Sequence, residues 1–167
     1  MSVDATVIRR GRRTDSEGFI GLVVALARFE KLDPPTPSGK RRLLDDIFRR
    51  KMVNLFVASR RGRLVGYALY FYSYSSFLAK PTLYLEDLFV DAESRGRGVG
   101  TALLKRCAEE ARAKGCGRME WAVLTWNEKA LGFYESIGAK RMAGWYLYRL
   151  DENSIRRFAS GPAPTGA

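Results

Sequence analysis

The feature that most constrains this chain is a glycine-rich turn between an apolar segment and an amphipathic one. Residues 95–100 read Arg-Gly-Arg-Gly-Val-Gly; they follow the apolar run 83–90 and precede a helical pattern that begins at Thr101. Glycines let the backbone approach a ligand closely, and the first turn of a helix leaves N–H groups without intrahelical partners. The two arginines add positive charge and forked donors. The sequence therefore predicts a strand–loop–helix unit that binds an anion such as a pyrophosphate.

Two common phosphate-binding patterns do not describe this turn. The dinucleotide fold requires Gly-x-Gly-x-x-Gly near the start of a βαβ unit, with an acid about 20 residues further on. The spacing and position of Gly96, Gly98 and Gly100 do not match it. The phosphate loop of nucleoside triphosphatases requires Gly-Lys followed by Ser or Thr, which does not occur here.

Composition limits the chemistry that the chain can perform. It has 167 residues, 46% of them hydrophobic, which is enough for one α/β domain with one core. It contains no histidine, which excludes Ser-His and Cys-His catalysis and imidazole-ligated metal sites, and we predict no metal site. Carboxylate, tyrosine, lysine or cysteine is left for proton transfer.

The net charge of +11 comes from dispersed clusters of arginine and lysine. Such clusters are typical of a solvated surface, and they can also attract a polyanionic cofactor or nucleic acid. No run of about 18 apolar residues is present, and residues 1–13 lack the apolar centre of a secretion signal. We therefore expect a soluble, cytoplasmic protein with no membrane partner.

The spacing of apolar residues predicts the order of the elements. Strands are predicted at 6–9, 54–59, 64–74, 83–90, 118–124 and 145–150, and helices at 14–32, 39–51, 101–114 and 127–137. The first helix is expected to begin with a capping box between Thr14 and Glu17. We assign residues 1–158 to one domain and expect residues 159–167 to form a disordered tail.

Three further motifs accompany the glycine-rich turn: Tyr-Leu-Glu-Asp-Leu-Phe-Val at 84–90, Trp-Asn-Glu at 126–128 and Phe-Tyr-Glu-Ser-Ile-Gly-Ala at 133–139. Read as Arg-x-x-Gly-x-Gly, residues 95–100 resemble the acyl-CoA pyrophosphate loop of the GNAT family of N-acetyltransferases. The order and spacing of all four motifs are similar to the diamine and thialysine acetyltransferase branch, from about Val7 to Leu150. The resemblance implies a single-domain α/β (α+β) GNAT fold, a mixed twisted sheet of about six to seven strands flanked by about four helices. It also implies a homodimer that uses acetyl-CoA as co-substrate.

Two residues are the catalytic candidates. Glu86 and Asp87 interrupt an apolar strand, and burying two carboxylates is costly unless they are paired or used. Residue type and position alone leave two interpretations open. One is a role in amine binding or deprotonation; the other is a strand edge or bulge where one acid faces solvent and the other forms a salt bridge with an arginine. The resemblance implies that Glu86 binds the amine and acts as its base, commonly through water. It further implies that Tyr134, which by position alone is an ordinary apolar-face tyrosine, protonates the departing CoA thiolate.

The resemblance also assigns the binding residues. The backbone of Leu88, Phe89 and Val90 is expected to pair with the pantetheine arm. The remaining coenzyme contacts are expected from Arg95, Gly96, Arg97, Gly98, Val99, Gly100, Thr101, Asn127, Lys129 and Ala130. Asn127 can also serve simply as a helix N-cap. The acceptor site is expected to include Phe29, Glu30, Ser75, Glu86, Asp87, Glu120, Trp121 and Ala122.

The acceptor is expected to be a small diamine or a thialysine-, lysine- or ornithine-like amine. Polyamine enzymes carry an acid where Ser75 stands, and another shortly before the tryptophan that matches Trp145. Serine at position 75 resembles the thialysine-type members, so specificity stays open between these amines. An alternative is acetylation of protein lysines or N-termini. An alternative of another class is a non-catalytic basic module that binds nucleic acid, which has little support because the basic clusters do not alternate with a regular aromatic platform.

Overall fold

The fold is built around a mixed β-sheet. The computed structural model describes residues 5–161, and the contacts divide the chain into two units, Met1–Ala122 and Val123–Ala167. Five strands of the first unit form the sheet: β1 (Val7–Arg10), β2 (Asn54–Arg60), β3 (Arg63–Ser75), β4 (Lys80–Val90) and β5 (Arg118–Glu120). Their spatial order follows the chain, with antiparallel pairing from β1 to β4 and parallel pairing between β4 and β5.

Three helices of the first unit cover this sheet: α1 (Ser16–Phe29), α2 (Pro37–Phe48) and α3 (Val99–Ala113). Side chains alternate between the two faces of a strand, so neighbouring residues of β2 meet different helices. Leu55 and Val57 lie in a core cluster with Phe19 of α1 and Ile47 of α2. Phe56 instead lies below the guanidinium group of Arg106 from α3, 4.5 Å from its ring centre.

A buried carboxylate connects α3 to the sheet. Both oxygens of Glu110 accept hydrogen bonds of 2.8 Å from the Arg10 guanidinium of β1, and the Tyr72 hydroxyl of β3 donates to Oε1 at 3.1 Å. Burial raises the pKa of Glu110, but the hydrogen bonds and charges of Arg10, Tyr72 and Arg106 outweigh it, so the pKa lies below its ordinary value. Glu110 is therefore a structural anion on the α3 face.

The second unit contains α4 (Glu128–Ser136) and α5 (Glu152–Ser160). Both begin with a side-chain cap: the Asn127 Oδ1 accepts the Ala130 N–H at 3.2 Å, and the Asp151 Oδ1 accepts the Ser154 N–H at 2.7 Å. Across residues 5–161, no helix is both long and apolar enough to span a membrane.

The mixed sheet and the α/β class are as predicted, but the numbers of elements differ. Residues 5–161 form five strands and five α-helices, against about six to seven strands and about four helices. The strand expected at 145–150 is wrong; Trp145, Tyr146, Leu147 and Tyr148 are 76–89% exposed and outside regular structure. The strand expected at 118–124 ends at Glu120. A pattern of apolar residues indicates strand propensity, whereas a strand also requires a hydrogen-bonding partner.

The predicted ends of the helices also differ from the observed ends. The capping box at Thr14 is not formed: a short 3₁₀ helix, Arg13–Asp15, precedes α1, and the Asp15 carboxylate accepts the Arg12 N–H at 2.7 Å. Helix α5, which was not predicted, continues to Ser160, so residues 159 and 160 are helical rather than part of a disordered tail. Gly161 of the predicted tail is the C-cap of this helix, and residues 162–167 lie outside the described residues.

Candidate active site

Strands β4 and β5 pair over a short stretch only. Arg118–Glu120 of β5 pair with Thr82–Tyr84, and the pairing recorded for β5 in the first unit ends there. Further along β4, residues Leu88, Phe89 and Val90 pair on their other side with β3. The backbone of these three residues therefore presents a β4 edge that β5 does not occupy. An extended chain can pair with such an edge, which is the contact predicted for the pantetheine arm.

A β-bulge in β4 contains the predicted base. Leu69 of β3 lies opposite Asp87 and Tyr70 opposite Leu85, so Glu86 is an extra residue without a partner in the register. Bulges re-aim side chains and often lie next to active sites. Glu86 is exposed and Asp87 is half-buried. The bulge with one acid facing solvent is thus observed, whereas the other acid accepts a hydrogen bond from the Tyr67 hydroxyl instead of the salt bridge expected with an arginine.

Three carboxylates come together around this bulge. Burial raises the pKa of Asp87 to about 6, and the negative charges of Glu86 and Glu30 add to the increase. The Tyr67 hydroxyl opposes this effect by donating a 3.1 Å hydrogen bond to the Asp87 Oδ2. Burial also raises the pKa of Glu30, which lies directly after α1. The group concentrates negative charge in a protein whose net charge is +11.

Arg95 connects the end of α1 to the end of β4. The carbon at the centre of its guanidinium group lies 5.0 Å from the Phe29 ring centre and 5.5 Å from that of Phe89. Its Nε donates a 2.9 Å hydrogen bond to the Val90 carbonyl. Cation–π contacts of this kind hold side chains in place. The side chain thus contacts Phe29, a residue assigned to the acceptor site, as well as the strand that precedes the glycine-rich loop.

The loop and the first turn of α3 present open backbone. Gly96 and Gly98 have φ values of 72° and 76°, in the left-handed region that favours glycine, and Gly98 is the N-cap of α3. A Cβ added at either glycine would meet nothing within 4 Å, and one at Gly100 would meet only the Val90 Cγ2 at 3.7 Å. The first-turn N–H groups of Val99, Gly100 and Thr101 have no carbonyl four residues back within the helix. This arrangement fits the diphosphate of a coenzyme A thioester.

A cavity of about 450 Å³ adjoins this loop. Its lining includes Arg97 of the loop and Arg60 at the end of β2, together with Thr6, Gly98, Val99 and Ala102. The two arginines add positive charge next to the α3 N-terminus. Sequence reasoning did not select Arg60, because it lies in a basic cluster at the end of a different strand.

The remaining acceptor candidates are spread along the sheet. Glu120 pairs with Tyr84, two residues before Glu86, and its carboxylate forms an ion pair with the Arg118 guanidinium, 3.0 Å from the Nε. Trp121 and Ala122 follow β5. Ser75 lies six positions along β3 from Leu69, the residue that pairs with Asp87. Because a strand rises about 3.3 Å per residue, Ser75 is about 20 Å from that pair along the strand.

Ser75 has a local structural contact. It is 5% exposed, and its Oγ accepts the Leu78 N–H at 3.3 Å in the turn between β3 and β4. The structure therefore does not bring Ser75 together with Glu86 and Asp87.

In the second unit, α4 contains the other catalytic candidate. Asn127 caps the helix, Lys129 and Ala130 lie in its first turn, and Tyr134 lies near its end. Burial raises the pKa of the Tyr134 hydroxyl from 10.0 to about 12. The group carries a proton at neutral pH, as any tyrosine does, and burial makes it a weaker acid than a free tyrosine. The role of Asn127 as N-cap is confirmed, and its contact with the coenzyme stays a prediction.

Sequence reasoning missed Tyr67. It lies opposite Phe89 in the sheet register, and its apolar neighbours on β3 indicate an ordinary core position. The only available signal was a hydroxyl within an otherwise apolar strand. No group of three or more potential metal ligands occurs within residues 5–161.

Comparisons with known proteins agree with these features. Residues 23–139 match the model of the acetyltransferase (GNAT) family. The chain is 34% identical over 167 residues to thialysine N-epsilon-acetyltransferase of Mus musculus, covering 93% of this chain and 98% of the mouse protein. It is 41% identical over 93 residues to L-ornithine N5-acetyltransferase of Arabidopsis thaliana, covering 56% of this chain and 41% of that protein.

Two further similarities extend the comparison. The chain is 35% identical over 165 residues to spermidine/spermine N(1)-acetyltransferase-like protein 1 of Homo sapiens, covering 92% of this chain and 24% of that protein. Among solved structures, an integron cassette protein of V. cholerae superposes with a TM-score of 0.80 at 25% identity, covering 93% of this chain and 98% of that chain. The resemblance inferred from the motifs is confirmed, and the chain belongs to the acetyltransferase (GNAT) family.

Proposed function

We propose that this N-acetyltransferase transfers the acetyl group of acetyl-CoA to the primary amine of a small cationic substrate, either a diamine or an amine of thialysine, lysine or ornithine type. The observation that carries the proposal is the group of three carboxylates, Glu30, Glu86 and Asp87, around the bulge in β4. A cationic substrate is attracted to such a group of acids. The thialysine and ornithine substrates named for the mouse and Arabidopsis relatives support the same class.

The proposed reaction is direct transfer within a ternary complex. An alkylammonium has a pKa near 10.4 by analogy with lysine, so it must lose a proton before or during its attack on the thioester. Glu86, exposed at the bulge, would assist this loss by passing the proton to water. The neutral nitrogen then forms a bond to the thioester carbonyl carbon, and the carbon–sulfur bond breaks.

Tyr134 would supply the proton that the departing thiolate requires. Its hydroxyl is protonated at neutral pH, since the ordinary tyrosine pKa of 10.0 already lies well above 7 and burial raises it to about 12. An alkyl thiol has a pKa near 8.5, so a thiolate accepts a proton from a suitably placed donor when it forms. Removing this hydroxyl should therefore affect turnover more than coenzyme binding.

The coenzyme would be held by backbone groups at two places. The edge of β4 at Leu88, Phe89 and Val90 would pair with the pantetheine arm, and residues 95–101 would bind the diphosphate. Asn127, Lys129 and Ala130 of α4 are proposed as further contacts on the basis of the resemblance. A homodimer is also proposed on that basis, and light scattering of the purified protein tests it.

A panel of acceptors tests the proposed function. Purified protein and acetyl-CoA are mixed with thialysine, lysine, ornithine, putrescine, spermidine, lysine-containing peptides and peptides with free N-termini, and released CoA thiol is measured. We expect turnover with one or more of the small amines. Turnover restricted to peptides would refute the proposal in favour of protein acetylation. Absence of thiol release together with salt-sensitive retention on DNA or RNA would favour the nucleic-acid-binding alternative.

A pair of variants tests the carboxylate group. Glu86→Gln should lower kcat/KM for the amine by roughly 10- to 100-fold, at or below the lower end of the roughly 100- to 10,000-fold that a general base in direct contact contributes, because Glu86 acts through water. Glu93→Gln is the matched control, because Glu93 is an exposed acid outside this group, 3.6 Å from Arg63. Equal kcat/KM for the two variants would show that Glu86 takes no part in the reaction.

A further inference from the structure

Tyr67 provides a fixed hydroxyl beside the acceptor carboxylates. Its side chain is 0% exposed. The ring contacts Phe19 edge-on at 5.1 Å between centroids and Phe89 at 6.4 Å, so α1 and β4 hold it on two sides. The hydroxyl reaches out of this core and donates to the Asp87 Oδ2 at 3.1 Å. Because the ring is held in the core, the hydroxyl can fix the orientation of the carboxylate that it binds.

The charged and titratable groups around Asp87 come from three elements. Glu30 follows α1, Glu86 precedes Asp87 on β4, and Tyr67 belongs to β3. The two carboxylates favour a proton on Asp87, whereas the Tyr67 hydrogen bond favours the ionised form. Arg95, from the loop after β4, is directed to the Phe29 and Phe89 rings and to the Val90 carbonyl. Among the described residues, Tyr67 therefore donates the hydrogen bond that stabilises the ionised form of Asp87 against the negative charges of Glu86 and Glu30.

We propose that Tyr67 is a positioning residue for acetyl transfer, and that the carboxylate it orients, Asp87, is the group that first takes a proton from the acceptor ammonium. This inference rests on the proposed function. Asp87 is half-buried, whereas Glu86 is exposed in the bulge. The two acids thus have different tasks: Asp87 receives the proton next to the substrate, and Glu86 exchanges it with water.

The proton balance of the reaction requires such a path. An ammonium that becomes a neutral amide loses two protons: one is balanced by the proton that Tyr134 gives to the CoA sulfur, and one must leave the site. Asp87 takes the first proton from the ammonium and becomes a carboxylic acid, and the freed amine forms the new carbon–nitrogen bond as the carbon–sulfur bond breaks. The second proton leaves the nitrogen for solvent after bond formation, and Tyr134 regains from solvent the proton that it gave to the sulfur. Asp87 then returns its proton to water past Glu86.

The acid-base properties of Asp87 suit this task. A proton acceptor works best when its pKa is close to the operating pH, and burial raises the pKa of Asp87 to about 6. Without the Tyr67 hydroxyl the same carboxylate would hold its proton to a higher pH. Tyr67 thereby sets the lowest pH at which Asp87 is available as a base.

The experiment compares Tyr67→Phe with a matched control, Tyr70→Phe. Both tyrosines lie on β3 and are 0% exposed, but Tyr70 stacks on Phe56 and its hydroxyl lies 3.5 Å from Arg10. The pH dependence of kcat/KM for the best amine should show an acidic limb in the wild type near the pKa of Asp87. Tyr67→Phe should shift that limb to higher pH by about one unit, because the substitution removes a hydrogen bond to the ionised carboxylate. Tyr70→Phe should leave the limb in place.

Three further measurements extend the test, and the first of them does not depend on the folding of Tyr67→Phe. Replacing Tyr67 with 3-fluorotyrosine keeps the ring and strengthens the donor, so the limb should move to lower pH. In Asp87→Asn, this limb should be absent and Tyr67→Phe should have no further effect on the profile. The carboxyl carbon of Asp87, followed by NMR without substrate, should titrate at a higher pH in Tyr67→Phe than in the wild type.

The outcomes separate the inference from the proposed function. An acidic limb that is identical in the wild type, Tyr67→Phe and the fluorotyrosine protein would overturn the inference even while amines are acetylated. A limb that persists in Asp87→Asn would also overturn it. Failure of the wild type to release CoA with any amine would instead overturn the proposed function.

Discussion

Gly100 provides a direct test of how closely a coenzyme approaches the first turn of α3. We consider Gly100→Ala, which adds one methyl group to the proposed diphosphate site. In the free protein the added Cβ would meet only the Val90 Cγ2 at 3.7 Å, an ordinary van der Waals contact. The substitution therefore introduces no clash in the absence of a ligand.

The expected change in folding stability is small and favourable. Gly100 lies within α3 and does not have a positive φ. Replacing glycine by alanine in a helix stabilises it by roughly 0.5–1 kcal/mol, since the unfolded chain has fewer conformations to lose. The free energy of unfolding should therefore stay constant or rise by that amount.

The expected change in coenzyme affinity has the opposite sign. If the diphosphate contacts the backbone at Gly100, a methyl group there holds it away from the amide. Loss of one hydrogen bond to a charged group weakens binding by about 1.5–3 kcal/mol, which corresponds to roughly a 10- to 100-fold increase in Kd. In this one variant, the free energy of unfolding should thus stay constant or rise, while the affinity for CoA falls.

Calorimetric titration with CoA and urea unfolding measure the two quantities. Gly21→Ala is the matched control, because Gly21 lies within α1 and an added Cβ would meet nothing within 4 Å. It should gain similar stability and bind CoA as the wild type does. If Gly100→Ala bound CoA as tightly as Gly21→Ala, the proposed diphosphate site at residues 95–101 would be refuted.

Three further predictions concern other parts of the chain. Tyr134→Phe should lower kcat at least tenfold and leave the binding free energy of acetyl-CoA within about 1 kcal/mol, so an unchanged rate in steady-state assays would remove the proposed proton donor. Glu110→Gln should lower the free energy of unfolding by about 2 kcal/mol at neutral pH, since it weakens the charged hydrogen bonds from Arg10. Because the pKa of Glu110 is lowered by folding, this stabilisation is present above its ordinary value of 4.5 and is lost as the pH falls below it. Urea unfolding from pH 7 to pH 3 checks both points, and a constant difference between wild type and variant would contradict them. Gly66→Ala should destabilise the sheet by about 2 kcal/mol or more, because its Cβ would lie 2.8 Å from the Phe89 carbonyl oxygen, and thermal unfolding measures this loss.

The central strands and α3 could be predicted from the sequence because their patterns are long. Strands β2, β3 and β4 and helix α3 differ from the predicted ranges by a few residues at most. Each carries enough apolar residues at one period to outweigh the local preferences of single residues. The same holds for the glycine-rich loop, whose left-handed residues Gly96 and Gly98 match the geometry that such a sequence requires.

The C-terminal region was harder to predict, since its structure depends on partners that a local pattern does not reveal. Residues 145–148 are apolar and aromatic, which favours a strand. They are nevertheless exposed, and they do not pair with any strand among residues 5–161. Helix α5 was missed because its apolar residues are few, although Asp151 is an ordinary N-cap.

Parts of the candidate site could be predicted, and parts required coordinates. The motif at 84–90 correctly indicated an interrupted strand, but only the register shows that Glu86 is the bulged residue. The hydrogen bond between Tyr67 and Asp87 joins residues 20 positions apart. The contact of Arg95 with Phe29 joins a loop to the end of a distant helix. Pairings of this kind follow from the packing of whole elements, so composition and spacing do not specify them.

The ion pair between Arg10 and Glu110 has a consequence for how the protein is made. Its two residues are 100 positions apart in the chain. During synthesis the arginine leaves the ribosome long before the codon of its partner is read, and domains of this size form their distant contacts late. The ion pair that holds β1 to α3 is therefore expected to form only after α3 has left the ribosome. Nascent chains that end before α3 should remain sensitive to proteases at their N-terminal strand.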